Sequence, residues 1–124
     1  LKLHNTRNGI FRRNTAIGNL ALGYWFDINC LDFQIDDLVA AGNFIGLFLE
    51  ISKGPILVKN SLLCDNTEKE LLINNSTHVR LQNNIFYRMP QSSEEKATDI
   101  AAAPADLKRD RAAVAIIYYY RDIE

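Results

Sequence analysis

The sequence predicts an all-β protein, a right-handed parallel β-helix whose coils are about 23 residues long. Three observations lead to this fold: an internal repeat, short runs rich in β-branched residues, and the position of the asparagines. Twelve asparagines precede residue 85 and none follows it. With 124 residues, 48% of them apolar and 10% aromatic, the chain has enough apolar surface for one packed core.

The repeat emerges when positions 23 residues apart are compared. The matched pairs are Gly23 and Gly46, Phe26 and Leu49, Asp27 and Glu50, Ile28 and Ile51, Ile35 and Val58, and Asn43 and Asn66. One further step aligns "VKNSLL" at 58–63 with "LQNNIF" at 81–86. Toward the start of the chain the spacing becomes 24, as between Phe11 and Ile35 or Asn19 and Asn43. About three and a half units are present.

Each unit contains short strand-like runs, such as "FQID", "ILVK" and "VRLQ", separated by Asn, Asp, Gly and Ser. A leucine-rich repeat of similar length requires a regular leucine pattern, which is missing. In stacked coils, equivalent residues lie one strand spacing apart, about 4.8 Å, so their amides can hydrogen-bond along the axis. We therefore assign structural roles to the asparagines at repeated positions: Asn19, Asn43, Asn60, Asn66 and Asn83.

The pattern divides the chain into three parts. Residues 1–89 form the coils, residues 90–112 are rich in Ser, Ala and charge and form a loop or linker, and residues 113–124 form a strand that packs back on the solenoid. Because so few coils would leave strand edges open, we expect the chain to be part of a longer solenoid, capped by further coils or by a partner chain.

Charge and composition disfavour several classes of function. A net charge of -1 provides no basic field for nucleic acid, and no apolar run approaches the roughly 20 residues that span a bilayer. Cys30 and Cys64 are too few for a metal cluster or a disulfide framework, so both are interpreted as small, buried or half-buried residues. We predict no metal and no cofactor. The compartment is left open, with a secreted or periplasmic one favoured.

The candidate site is a pair of acids, Asp27 and Glu50, at equivalent positions of two coils. Side chains alternate along a strand, so if Phe26 and Ile28 point into the core, Asp27 points outward, and Glu50 follows on the next coil. Carboxyl groups roughly 5 to 5.5 Å apart suit a retaining glycosidase. The shorter Asp27 would be the nucleophile and the longer Glu50 the acid/base, with repulsion keeping one of them protonated near neutrality.

Further residues are predicted to bind the substrate. Trp25 and Phe48 precede the acids by two positions, share the outer face and would offer aromatic surface to a sugar ring. His4 lies about one coil before Asp27 and would line a subsite. The predicted partner is an oligo- or polysaccharide.

The phrases "GYWFDIN" and, 23 residues later, "GLFLEISKGPILVKNSLL" resemble the β-helical β-xylosidase-type glycoside hydrolases, of the pectin-lyase-like fold. In that family a Trp-x-Asp strand supplies the nucleophile and a Phe-x-Glu strand of the next coil supplies the acid/base. The resemblance covers about residues 20–66 and implies the same roles for Asp27 and Glu50.

Two alternatives stay open. "YWFD" also resembles the W-x-D-H strand of pectate lyases, which implies a polysaccharide lyase with calcium at the acid pair and an arginine base, for which Arg80 is the candidate. In the other alternative the chain is a non-catalytic carbohydrate-binding or structural β-helix module, and the acids belong to a solvated face.

Overall fold

The computed structural model describes residues 1–88 and 114–117, which form a parallel β-solenoid of about four coils. The described residues contain no helix. The strands are β1 (Lys2–His4), β2 (Arg7–Arg12), β3 (Thr15–Ile17), β4 (Leu22–Asp27), β5 (Leu31–Asp36), β6 (Val39–Ala41), β7 (Ile45–Glu50), β8 (Ile56–Lys59), β9 (Leu62–Cys64), β10 (Lys69–Asn74), β11 (Val79–Gln82), β12 (Ile85–Tyr87) and β13 (Val114–Ile117).

Each strand pairs with the strand three positions earlier in the chain, so the strands form three parallel sheets. The first sheet has the order β1-β4-β7-β10-β13, the second β11-β8-β5-β2, and the third β12-β9-β6-β3. Three strands therefore make one coil, with β1–β3 in the first coil, β4–β6 in the second, β7–β9 in the third and β10–β12 in the fourth. The all-β solenoid predicted from the repeat, with coils of about 23 residues, is confirmed.

The pairing register reproduces the 23-residue repeat along the strands of the second and third coils. Phe26 pairs with Leu49 across β4 and β7, and Ile35 pairs with Val58 across β5 and β8. The looser spacing at the start is also real, because Phe11 pairs with Ile35 at an offset of 24. We call such a set of paired positions in successive coils a column.

The core lies inside the coils, where each inward-pointing strand position forms a column of apolar side chains. Its fully buried members include Phe26, Ile35, Leu49 and Val58. Around Phe26 the core is aromatic: the ring meets Phe11 and Phe33 edge-on, at centroid distances of 5.5 and 5.3 Å. Burial of these columns supplies the main stabilising free energy of the solenoid.

Corners between strands explain part of the asparagine content. All fifteen described residues with a positive φ fall into four corner columns: Asn5, Asn29, Ile51 and Asn75; Asn8, Asp32, Gly54 and His78; Arg13, Asp37, Asn60 and Asn83; and Gly18, Gly42 and Asp65. Asn, Asp and Gly tolerate this left-handed conformation best, and they occupy most of these positions. Ile51, at φ 46°, is the one β-branched exception.

A second group of asparagines forms a ladder inside the solenoid. The Asn19 amide donates to Oδ1 of Asn43 at 2.7 Å, and the Asn43 amide donates to Oδ1 of Asn66 at 2.9 Å. Asn66 in turn donates to the carboxylate of Glu70, which is fully buried and also receives Arg88 Nε at 3.2 Å. Outside this ladder, Asn83 donates to Asn60 at 2.8 Å. The predicted structural roles of the repeated asparagines are confirmed.

The predicted strand alternation fails just after the acids. Ile28 is only half-buried and Ile51 is exposed, whereas Ser52, which strict alternation from Glu50 would place outside, is fully buried. The reason is that β4 and β7 end at Asp27 and Glu50, and the chain then turns through the left-handed Asn29 and Ile51. Alternation holds only while the backbone stays extended.

The strand β13 adds to the solenoid by pairing with β10, with Leu71 opposite Val114 and Asn74 opposite Ile117. The loop or linker predicted for residues 90–112 lies outside the described residues. Both free cysteines have the predicted burial, Cys30 inside the core and Cys64 half-buried. Within residues 1–88 and 114–117, no helix has the length and apolar character needed to cross a membrane.

Candidate functional site

The two acids end neighbouring strands of the first sheet, Asp27 on β4 and Glu50 on β7. Trp25 pairs with Phe48 and Phe26 with Leu49, and each acid is the next residue on its strand. His4 pairs with Asp27 on one side, and Asn74 pairs with Glu50 on the other. The outer face of the first sheet therefore carries a polar column at its strand ends: His4, Asp27, Glu50 and Asn74.

Asp27 is not a free carboxylate. The residue is only 5% exposed; its Oδ2 lies 2.8 Å from Nζ of Lys2, and its Oδ1 accepts a hydrogen bond from the backbone N–H of Ile28 at 2.9 Å. Burial by itself would raise the pKa of Asp27. The hydrogen bonds from Lys2 and Ile28 and the positive charges of Lys2 and His4 outweigh it, so this pKa is lowered from 3.8. Asp27 is therefore ionised at neutral pH.

This ion pair predicts a pH dependence of stability. Because the pKa of Asp27 is lower in the folded state, its stabilisation is complete above the ordinary value of 3.8 and is lost as the pH falls through the folded-state pKa. We expect Asp27→Asn to be less stable than the wild type at neutral pH and to lose less stability on acidification. Melting temperatures measured between about pH 7 and pH 2 test this.

The control for this prediction is Asp32→Asn, which makes the same change at an exposed corner. Its acid profile should follow that of the wild type. If Asp27→Asn also follows the wild-type profile, the Lys2–Asp27 pair contributes nothing to stability.

Glu50 is held from both neighbouring coils. Its Oε2 accepts a hydrogen bond from the indole Nε1 of Trp25 at 3.0 Å, and its Oε1 lies 3.4 Å from Nδ2 of Asn74. The first contact joins the second coil to the third, and the second contact joins the third coil to the fourth. Because the Lys2–Asp27 pair joins the first coil to the second, polar contacts connect all four coils on this face.

The aromatic residues form a second outer column beside the acids. Trp25 stacks on Phe48 with ring centroids 5.8 Å apart and an interplanar angle of 15°. Nζ of Lys2, which pairs with Trp25 on the other side, lies 3.5 Å from the centroid of the indole ring. Both faces of the indole are thus in contact with the protein itself, and both rings are half-buried. A sugar could reach the ring edges without displacing Lys2 or Phe48, but not the faces of Trp25.

Of the two other candidates, His4 is the pairing neighbour of Asp27, and Arg80 lies on another sheet. His4 is exposed at the end of β1, with its Nδ1 3.0 Å from the amide of Asn5. Arg80, the candidate base of a lyase, lies on β11 of the second sheet, whereas the acids lie on the first. Among the described residues there is no cluster of three or more His, Cys, Asp or Glu side chains that could hold a metal ion.

Sequence reasoning missed Lys2. Its offset from Trp25 is the 23 residues of the repeat, so extending the repeat by one coil toward the start of the chain would have placed a cation beside the first acid. That signal was weak because the spacing in the first coil changes between 23 and 24.

Comparison with known proteins adds no family: no protein-family model matches the chain, and no curated protein or solved structure matches it.

Proposed function

We propose that the chain is a non-catalytic, structural β-solenoid module, in which the acid pair joins neighbouring coils. The observation that supports this function is that every oxygen of the two carboxylates has a partner within the protein. Those of Asp27 are taken by Lys2 and by the N–H of Ile28, and those of Glu50 by Trp25 and Asn74.

These contacts also remove the reason for expecting catalysis from the pair. Two stacked acids would repel each other and destabilise the sheet unless something compensates. The ammonium group of Lys2 compensates the charge of Asp27, and the indole N–H of Trp25 donates to Glu50. A nucleophile needs an oxygen that can approach the anomeric carbon, and Asp27 would have to release Lys2 to provide one.

A second candidate function is a retaining glycoside hydrolase acting on oligo- or polysaccharides, as the resemblance of residues 20–66 to β-xylosidase-type enzymes implies. Two observations favour it: Asp27 and Glu50 end neighbouring strands on one face, and the lowered pKa keeps Asp27 ionised, as a nucleophile requires. In the lyase alternative calcium would occupy the acid pair, a position where Lys2 already supplies the positive charge.

Substitutions at Glu50 separate the two functions. Glu50→Gln keeps an oxygen for the indole N–H of Trp25, so its free energy of unfolding should stay within about 0.5 kcal/mol of the wild type, whereas Glu50→Leu should lose about 1 to 2 kcal/mol. Urea denaturation measures both. On the same samples we expect no hydrolysis of nitrophenyl glycosides and no unsaturated uronate product.

Turnover by the wild type that Glu50→Gln abolishes would overturn the structural proposal in favour of the hydrolase. In that case azide should restore activity to Asp27→Gly and give a glycosyl azide of inverted configuration. Calcium-dependent melting together with uronate release would instead support the lyase.

A further inference from the structure

The outer face of the third sheet differs from those of the other two because it is apolar. Each of its strands β3, β6, β9 and β12 places two side chains outward. Register pairs them into two columns, one of Thr15, Val39, Leu62 and Ile85, the other of Ile17, Ala41, Cys64 and Tyr87. None of these eight described side chains carries a charge, and only Thr15 and Tyr87 offer a hydroxyl.

The other two outer faces bear charges. The first sheet carries Lys2, Asp27 and Glu50, and the second carries the Arg12–Asp36 and Lys59–Asp36 ion pairs. All three faces belong to the same solenoid, so the fold by itself does not explain why one face lacks charge and the other two carry it. A surface that omits charge across four coils is typical of one that is covered by a partner.

Several of the apolar side chains are well exposed. Ile17 is 65% and Ile85 62% exposed, and Leu62 and Tyr87 are exposed as well. At the adjoining corner with the first sheet, Leu20 and Phe44 add two more exposed apolar side chains. We call the two columns, together with Leu20 and Phe44, the apolar face; its six large exposed members are Ile17, Leu20, Phe44, Leu62, Ile85 and Tyr87.

The size of the apolar face argues for a partner. A large side chain has about 200 Å² of surface, so the six exposed members at this degree of exposure present on the order of 600 Å². Monomers rarely show a contiguous apolar patch of more than a few hundred Å². With its half-buried members, the face approaches the roughly 800 Å² per partner that a specific dimer buries.

We propose that the apolar face is a dimer interface, which a second copy of this chain covers with the same face. A partner that presented charges here would leave them buried without counter-charges, which is costly. Of the three described outer faces, only the apolar face has strand columns without charge that match it; the charged Asp65 and Glu68 lie at its edge, at the corner with the first sheet. A two-fold axis would bring the two faces together, with the sheets about 10 Å apart as in other sheet-on-sheet packings.

The test is the oligomeric state of the full chain. Ile17→Lys places a charge in the interface, while Ile10→Lys makes the same change in the same coil on the outer face of the second sheet, at a nearly equal exposure of 68% against 65%. Sedimentation equilibrium of wild type and both variants from about 1 to 200 µM measures the dissociation constants. Thermal melts at fixed concentration verify that each variant is folded.

We expect a wild-type dimer, a dissociation constant raised at least about tenfold by Ile17→Lys, and a value within about twofold of the wild type for Ile10→Lys. Leu62→Lys, in the other column of the face, should act as Ile17→Lys does. A wild-type monomer throughout this range would overturn the proposal, as would equal weakening by Ile10→Lys. Binding of the monomer to neutral phosphatidylcholine vesicles would overturn it in favour of a lipid surface. This inference does not depend on whether the acid pair is structural or catalytic.

Discussion

Replacement of Asn66 by Leu is expected to lower the free energy of unfolding by about 3 to 5 kcal/mol, although the two side chains have similar volumes. Asn66 is buried, and its Oδ1 accepts hydrogen bonds from both the backbone N and the side-chain Nδ2 of Asn43, each at 2.9 Å. Its own Nδ2 donates to the carbonyl of Ala40 at 3.0 Å and to the carboxylate of Glu70. Leu would remove all four of these hydrogen bonds in a buried site, although the Asn43 amide would keep its bond to the carbonyl of Ala16.

The buried carboxylate makes this loss larger than that of a neutral hydrogen bond. Glu70 is fully buried and would keep only the contacts with Arg88 and with the backbone N–H of Asn66, so removal of the Asn66 amide leaves a charge with less compensation. Equilibrium unfolding in urea measures the loss. Asn19→Leu is the matched control, because Asn19 is the exposed end of the same ladder and donates only to Asn43. It should cost about 1 kcal/mol; equal losses at both positions would contradict a cooperative ladder.

The ladder also shows why the fold could be predicted from the sequence. Stacking in a solenoid favours the same residue type at the same position of each coil, so one structural requirement recurs several times along the sequence. Asn43 and Asn66 repeat because each amide serves the next, and Ile35 and Val58 repeat because they share one core column. Long-range pairing, which single sequences usually conceal, thus becomes visible as a period.

The corners could not be predicted in the same way. The repeat aligns Ile28 with Ile51, but the structure places Asn29 and Ile51 in the same left-handed corner column, so the coil of Asp27 contains one residue more before its turn. Hydrogen bonding follows the shift, because the N–H of Cys30 donates to the hydroxyl of Ser52, an offset of 22. A single extra residue changes which side chains face outward, and neither propensity nor periodicity signals it.

The sequence predicted where the two acids lie in the fold, but it did not predict which side chains contact them. That Asp27 and Glu50 end neighbouring strands on one face follows from the period alone. The contacts that occupy them come from Lys2 and Asn74, on coils to either side, and depend on side-chain conformations that a pattern of residue types does not specify. The apolar face was missed for another reason: its strands have three residues each, too short for alternation to distinguish an outer face from a core.

The second large effect is expected for Gly46→Ala, which should lower the free energy of unfolding by about 3 to 5 kcal/mol. A Cβ atom at Gly46 would lie 2.7 Å from the backbone carbonyl oxygen of Glu70 and 2.7 Å from Nδ2 of Asn66. The first atom belongs to β10, which pairs with β7, so it can move away only if this pairing is distorted. The second is held by the ladder. Neither neighbour can give way cheaply, so the methyl group must separate the third coil from the fourth.

Gly18→Ala provides the control for Gly46→Ala. Gly18 has a φ of 67°, and a Cβ atom there would meet nothing within 4 Å. Gly18→Ala should therefore lower the free energy of unfolding by about 1 kcal/mol, through the strain of a left-handed alanine alone. Thermal and urea unfolding of both variants measure the difference. If Gly46→Ala cost no more than Gly18→Ala, the close approach of β7 to β10 and the ladder would have to be looser than the structure describes. A loss at Gly46→Ala well above that at Gly18→Ala would mean that glycine is required at position 46 because the Asn66 amide and the backbone of β10 occupy the space of a side chain.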